Sequence, residues 1–185
     1  MTKPNQTMDL STYVAFLRGI NVGGKNIIGM QSLREKMDIG GFLNVRTYIQ
    51  SGNIIFDHSE KNLSREVISN LIKENFGMEV PVILLKKEEF IKIAEKNFFL
   101  QEKHENISSL YVTFLSEIPQ IDNIKVLSEV NFLPDEFLFE EKAVYLCCRN
   151  GYSNTKLNIT MIEKKLKVFS TTRNWNTIIE ISKII

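Results

Sequence analysis

Val45-Arg46-Thr47-Tyr48-Ile49-Gln50-Ser51-Gly52-Asn53-Ile54-Ile55-Phe56-Asp57 holds two β-rich runs, Val45–Gln50 and Ile54–Asp57, around the turn-forming step Gln50-Ser51-Gly52-Asn53. Branched and aromatic residues interrupted by Ser-Gly-Asn predict a hairpin. Its flanks decide the fold. Before it, Met30, Leu33 and Met37 recur at helical spacing, and Gly40-Gly41 supply a left-handed stop. After it, Leu63, Val67, Ile68, Leu71, Ile72 and Phe76 make an amphipathic helix, with Ser59 as the expected N-cap and Gly77 just past the end. Tyr13–Leu17 and Val80–Leu85 are apolar runs long enough for strands and too short for helices. A helix with Phe90, Ile91 and Ala94 on one face closes this stretch, so the order is β-α-β-β-α-β-α.

The same order returns downstream. Leu110–Leu115 reads as a strand, and Ile121, Ile124 and Leu127 as a short helix. Phe137–Phe139 and Ala143–Cys148 flank Glu140-Glu141-Lys142 as a second hairpin. Leu157, Met161, Ile162 and Leu166 mark a helix, Val168–Thr171 a strand, and Trp175, Ile178, Ile179 and Ile185 a last helix. A repeated element order implies duplication. The expected fold class is therefore α/β (α+β): two tandem ferredoxin-like βαββαβ halves with antiparallel sheets, each followed by an extra helix. The expected boundaries are a flexible tail over 1–11, a first half over 12–100 and a second over 109–185, joined by Gln101–Ser108.

Right-handed crossovers order each sheet 4-1-3-2, with the helices on one face. Pro81 in the first half's fourth strand agrees, because proline belongs on a sheet edge. Val14–Leu17 and Leu110–Leu115 are apolar on both faces, so the helix-free face must also be covered, by the other half or by the extra helices.

In this topology the first strand ends at the same edge as the first hairpin turn. The loop Arg18-Gly19-Ile20-Asn21-Val22-Gly23-Gly24-Lys25-Asn26 and the residues Gln50, Ser51 and Asn53 should be neighbours there. The loop also feeds a helix N-terminus, whose N–H groups carry partial positive charge. Glycines that admit a close backbone approach, with Arg18 and Lys25, have the composition of a phosphate cradle. The second half offers Asn150-Gly151-Tyr152-Ser153-Asn154-Thr155-Lys156 after its third strand, expected to open a helix. Thr171-Thr172-Arg173-Asn174-Trp175 follows its fourth strand. These two segments share an edge, and they join the first cluster or stay apart according to how the halves dock. The structural alternative is tight turns for the glycines, ordinary caps for Ser153, Asn154 and Asn174, and core for Trp175.

Little else offers chemistry. Gly-x-x-Gly-Gly-Lys lacks the P-loop spacing, and Asn26 stands where a magnesium-binding hydroxyl would be. Only two histidines occur, His58 and His104, so no metal site and no cofactor are expected. Ser51, Ser153 and Tyr48 have no legible base beside them, leaving any catalytic residue unassigned. Cys147 and Cys148 are adjacent in a strand and point to opposite faces, which fits a reduced, cytoplasmic setting rather than a disulfide framework. The net charge is +1, from 23 basic and 22 acidic side chains, which disfavours binding driven by nucleic-acid phosphates or anionic membrane. No apolar run reaches bilayer length.

The stretch Tyr13-Val14-Ala15-Phe16-Leu17-Arg18-Gly19-Ile20-Asn21-Val22-Gly23-Gly24-Lys25-Asn26 resembles a bacterial family catalogued as domain of unknown function 1697. The likeness continues through Val45–Asn53, Asn150-Gly151, Thr155-Lys156-Leu157 and Thr171-Thr172-Arg173-Asn174-Trp175-Asn176-Thr177. The resemblance implies two ferredoxin-like halves and supplies no catalytic residues. The expected function is binding of a phosphate-bearing small molecule, a nucleotide or phosphorylated metabolite, through Arg18, Lys25, Lys156 and Arg173. The alternatives are an enzyme acting on such a ligand without metal, single-stranded nucleic-acid binding on the sheet through Tyr13, Phe16, Phe56, Tyr111 and Tyr145, and a protein-interaction module.

Overall fold

The computed structural model describes residues 9–185. Most of the expected tail lies outside the described residues. Asp9 pairs with Lys61 at 2.5 Å, and the first strand begins two residues later. The chain divides into two compact units, one ending at Lys87 and one spanning Glu88–Ile185.

The first unit contains β1 (Ser11–Leu17), α1 (Met30–Ile39), β2 (Leu43–Tyr48), β3 (Asn53–His58), α2 (Arg65–Phe76) and β4 (Val82–Lys86). All neighbouring strands are antiparallel, in the order β2-β3-β1-β4. This is the ferredoxin-like order. Alternation along β1 turns Tyr13, Ala15 and Leu17 towards Leu33 and Met37 of α1 and Ile68 and Ile72 of α2. Val14 and Phe16 point the other way and are buried as well, so both faces of this strand are closed. Pro81 immediately precedes β4 on the sheet edge, where a residue without an N–H loses no ladder donor. Its carbonyl accepts the Arg18 N–H at 3.0 Å. The α2 cap is Ser64 rather than Ser59: its Oγ accepts from the Glu66 N–H. The chain spends residues 61–62 on a turn and buries Leu63 first.

The second unit repeats the plan. It contains α3 (Lys87–Glu95), α4 (Phe98–Gln101), β5 (Leu110–Leu115), α5 (Ile121–Ser128), β6 (Glu136–Glu140), β7 (Ala143–Cys147), α6 (Ile159–Leu166), β8 (Ser170–Asn174) and α7 (Trp175–Ile184). Its sheet runs β6-β7-β5-β8, again antiparallel. Leu115, Val144 and Leu146 pack with Leu127 of α5 and Ile162 and Leu166 of α6. On the opposite face, Phe90 of α3 stacks with Phe114 at 6.5 Å, and Trp175 of α7 meets Tyr145 at 6.2 Å.

The boundary at 87/88 corrects the expected 12–100 first half. The helix read as the first half's appendage belongs to the second unit, where the Tyr145 hydroxyl donates to the Ile93 carbonyl at 3.0 Å. Lys92 pairs with Glu141 at 2.7 Å, and Lys96 pairs with Glu140. An apolar ring with a sheet face to cover outweighs sequence proximity. Among the described residues, no helix is long and apolar enough to cross a membrane.

Candidate functional site

The first unit brings the β1–α1 loop and the β2–β3 turn together, as the topology requires. The Leu17 N–H donates to the Gly52 carbonyl at 2.8 Å, and Asn21 Nδ2 donates to the Gln50 carbonyl at 2.8 Å. Asn21 also brackets Ile28: its Oδ1 accepts from the Ile28 N–H and its Nδ2 donates to the Ile28 carbonyl, both at 2.9 Å. Asn26 Nδ2 donates to the Gly19 carbonyl at 3.0 Å. Inside these braces the loop folds back on itself, with Asn21 N–H on Asn26 O and Lys25 N–H on Val22 O, each at 3.1 Å. Gly23 and Gly24 make that reversal at φ +58° and +73°, the paired left-handed conformation that tight hairpins demand. Asn53 is buried, and its Nδ2 donates to Tyr48 O at 3.0 Å and Ser51 Oγ at 2.9 Å. Asn21, Asn26 and Asn53 therefore hold the loop in shape, while Lys25 stands exposed at its tip and Arg18 is half-buried at its root.

Two features of this edge escape sequence reasoning. Gly29 is the N-cap of α1 and makes no side-chain cap. Its φ of −68° is open to any residue, and a Cβ there would meet nothing within 4 Å. Neither backbone geometry nor packing asks for glycine, so the helix N-terminus is left bare. Gly29 lies beyond the expected loop end at Asn26, and its one sequence signal is a glycine directly before an apolar-periodic run. Ile49, exposed at the hairpin, adopts φ +49°, an uncommon conformation for a β-branched residue. No local signal marked it. Between Leu10 and Arg34 the chain carries Arg18, Lys25 and Arg34 and no carboxylate. Arg34 is engaged, donating to Thr47 Oγ1 at 2.6 Å. The full charges on this loop, Arg18 and Lys25, are both positive, and the start of α1 adds the positive end of its helix dipole.

The second unit's edge has a different character. Asn150-Gly151-Tyr152-Ser153-Asn154-Thr155-Lys156 does not open a helix. Tyr152–Asn154 forms a short 3-10 turn and α6 begins at Ile159, capped by Asn158 Oδ1 on the Met161 N–H at 3.1 Å. The Tyr152 hydroxyl accepts the Ile159 N–H at 3.1 Å, so this helix start is already occupied. The cause lies across the unit. Buried Asp135 accepts the Arg149 N–H at 2.9 Å and the Thr155 hydroxyl at 2.6 Å, and Thr155 Oγ1 then accepts the Leu157 N–H at 3.0 Å. That staple delays the helix by several residues. Ser153 and Lys156 are exposed, and Asn154 Nδ2 donates to the Asn150 carbonyl at 2.8 Å.

Thr172, Arg173 and Asn174 are corrected too, since they lie within β8 rather than after it, paired with Thr113, Val112 and Tyr111. Thr172 Oγ1 shares a hydrogen bond with Thr113 at 2.8 Å and accepts from Tyr152 at 3.1 Å. Asn174 Oδ1 caps α7 through the Thr177 N–H and hydroxyl, both at 2.8 Å. The Arg173 guanidinium donates to Thr171 Oγ1 at 2.7 Å and the Thr172 carbonyl at 2.9 Å, and burial pushes its pKa down to about 10. Arg149 bridges Glu105 and Glu136 at 2.5 and 2.7 Å. This edge mixes both signs of charge, and its polar groups largely satisfy one another.

The remaining candidates are structural. His58 Nδ1 accepts from the Glu60 N–H at 3.0 Å and its ring rests on Phe42. Tyr13, Phe16, Phe56 and Tyr145 are buried within the sheets, so these strands hold core rather than a stacking surface, and Tyr111 packs against Tyr152. Trp175 is buried in the core. A groove of about 430 Å³ in the first unit lies between α1 and α2, lined by Lys36, Ile39, Leu71 and Glu74, at the end of α1 away from the glycine loop. Among the described residues, no group of three metal-ligating side chains occurs.

In overall fold the chain is similar to a conserved bacterial protein from Streptococcus pneumoniae, with a TM-score of 0.71 and 23% identity over 94% of this chain and 98% of that one. At that identity the likeness extends to the fold alone. No curated protein matches the sequence. The model of a family of proteins of unknown function matches residues 10–145, which include the Arg18–Gly29 loop and the β2–β3 hairpin, and the chain therefore belongs to the DUF1697 family.

Proposed function

We propose that the first unit binds a phosphate-bearing small molecule, a nucleotide or phosphorylated metabolite, at the Arg18–Gly29 loop and the start of α1. The observation that carries this reading is the bare N-cap: Gly29 sits where neither backbone nor packing requires a glycine. A residue without a side chain leaves the first N–H groups of α1 open to an incoming oxyanion. Arg18 and Lys25 supply full charge from the same loop, and no carboxylate lies in this stretch to repel the ligand. In the second unit Thr172, Asn154 and Asn174 spend their side chains on hydrogen bonds within the fold, which favours the first unit as the binding edge. Two free, buried cysteines suit a reducing compartment, which favours a cytoplasmic setting.

The test is a thermal-shift screen against nucleotides, sugar phosphates, inorganic phosphate and sulfate. At a hundredfold excess over Kd, binding to the folded state adds about 2.7 kcal/mol. That corresponds to a rise in midpoint of roughly 5–10 °C for a chain of this size. Arg18→Ala and Lys25→Ala should each reduce the rise. A screen with no shift for any anion sinks the reading. Turnover of the stabilising ligand would make the protein an enzyme acting on it.

A further inference from the structure

We propose that the Asn150–Gly151 step is a site of spontaneous deamidation, which places a new carboxylate on the 148–158 loop of the second unit. The chemistry is intramolecular. The main-chain nitrogen of Gly151 attacks Cγ of the Asn150 amide and loses its proton. The new C–N bond closes a five-membered succinimide, and the side-chain nitrogen leaves as ammonia. Water then adds to one of the two ring carbonyls, giving aspartate or, with the main chain rerouted through Cβ, isoaspartate. Water enters, ammonia leaves, and nothing is oxidised or reduced.

Attack needs an approachable main-chain nitrogen on the following residue, and the chain provides it once. Every other asparagine is followed by Val, Ile, Leu, Phe, Trp, Thr or Gln, whose side chains crowd the nitrogen. Gly151 has no Cβ, stands at φ +82°, and has open space where one would be. Asn150 is exposed. Its backbone carbonyl accepts from Asn154 Nδ2 at 2.8 Å, but its side-chain amide has no hydrogen-bond partner among the described residues. By contrast Asn21, Asn53, Asn158 and Asn174 have their amides tied into loops or caps. One hydrogen bond, from the Gly151 N–H to the Cys148 carbonyl at 3.0 Å, holds the attacking nitrogen in its turn. A single hydrogen bond in a turn, outside any helix or sheet ladder, opens locally at little cost.

Conversion changes the loop in two separable ways. The added negative charge falls beside Arg149, which already bridges two glutamates. Isoaspartate also lengthens the main chain, which displaces the Asn154 brace and the turn that leads to Tyr152 and Thr155. The Asn150→Asp variant carries the charge without the extra backbone atom.

The experiment ages the purified full-length protein at mildly alkaline pH, with a parallel sample in urea, and maps both by mass spectrometry with isoaspartate-resolving fragmentation. Asp and isoAsp should accumulate at position 150 in the native sample before any other asparagine converts, faster as pH rises. Asn150→Gln, whose ring closure is far slower, should show none. Limited proteolysis should cut the loop more readily in aged protein than in Asn150→Asp. A native sample that stays unconverted at 150 while the urea sample converts would overturn the proposal, as would earlier conversion at another asparagine.

Discussion

The Cβ that Gly52 lacks would stand 2.6 Å from the Cβ of Leu17, beside the 2.8 Å hydrogen bond that joins the two main chains. Gly52 also sits at φ +72°. Any side chain there must adopt the left-handed region and push the end of β1 away from the hairpin. Gly52→Ala should cost about 3 kcal/mol, the sum of the conformational and overpacking terms. Gly23→Ala, at φ +58° but in open space, should cost only about 1 kcal/mol, from conformation alone. Urea midpoints of the two variants test this. Equal losses would show that the close approach does not matter.

Gly29→Asp separates the binding proposal from stability. A carboxylate at the N-cap satisfies an orphan N–H and suits the helix dipole, so the variant should be as stable as the parent or up to about 0.5 kcal/mol better. It should lose the thermal shift from phosphorylated ligands, because the acid occupies and repels the anion's place. Retention of the full shift would remove the α1 N-terminus from the site.

On the second unit's edge the opposite outcome is expected. Asn174→Ala removes the α7 cap and should cost about 1 kcal/mol, leaving any ligand shift unchanged. Asp135→Ala is more severe. It strands the buried Thr155 hydroxyl and the part-buried Arg149 N–H, at a cost of about 3 kcal/mol. A lost ligand shift in stable Asn174→Ala would return this edge to the binding site.

These residues also show why the fold was legible in the sequence and the site only in part. Period-two and helical spacings name β1, α1, the hairpins and α2 without tertiary information, and Gly52 and Pro81 fix the turn and the edge. Ser153, Asn154 and Asn158 are all good caps in isolation. The choice of Asn158 is made by Asp135, twenty-odd residues upstream, through Thr155. Likewise Thr172 and Arg173 look like loop residues because a polar strand has no apolar alternation, and only pairing with Thr113 and Val112 puts them in β8. The unit on which α3 docks is decided by Phe90 meeting Phe114, a contact no local pattern encodes. The Gly23-Gly24 reversal was legible, whereas the bare cap at Gly29 had to be seen against its empty surroundings.

Burial pushes the Cys147 thiol up to about 11 and the Cys148 thiol to about 12. Thiolate is the reactive form, and neither sulfur is reachable in the folded unit. Both cysteines should resist alkylation at mildly alkaline pH in the native protein and react fully in denaturant. The slow native labelling then reports opening of the second sheet. Rapid labelling of either residue without denaturant would mean that β7 is not the buried strand described.

Acid should weaken the second unit through Glu136. A hydrogen bond from Lys103, then one from Arg149, holds its carboxyl below the usual range. A carboxylate depressed in the folded state contributes stability above its unfolded pKa, near 4.3, and loses that contribution as pH falls through the lower folded value. The parent should therefore hold a steady urea midpoint from neutral pH to about 5 and lose stability below about 4.3. Glu136→Gln removes the charge that Lys103 and Arg149 share, so it should be less stable at neutral pH and fall less steeply in acid. The two curves should converge as the parent's carboxylate protonates. The groups are partly exposed, and solvent screening keeps the effect modest, so added salt should narrow the gap at neutral pH. A gap independent of both pH and salt would assign the loss to packing instead of ionisation.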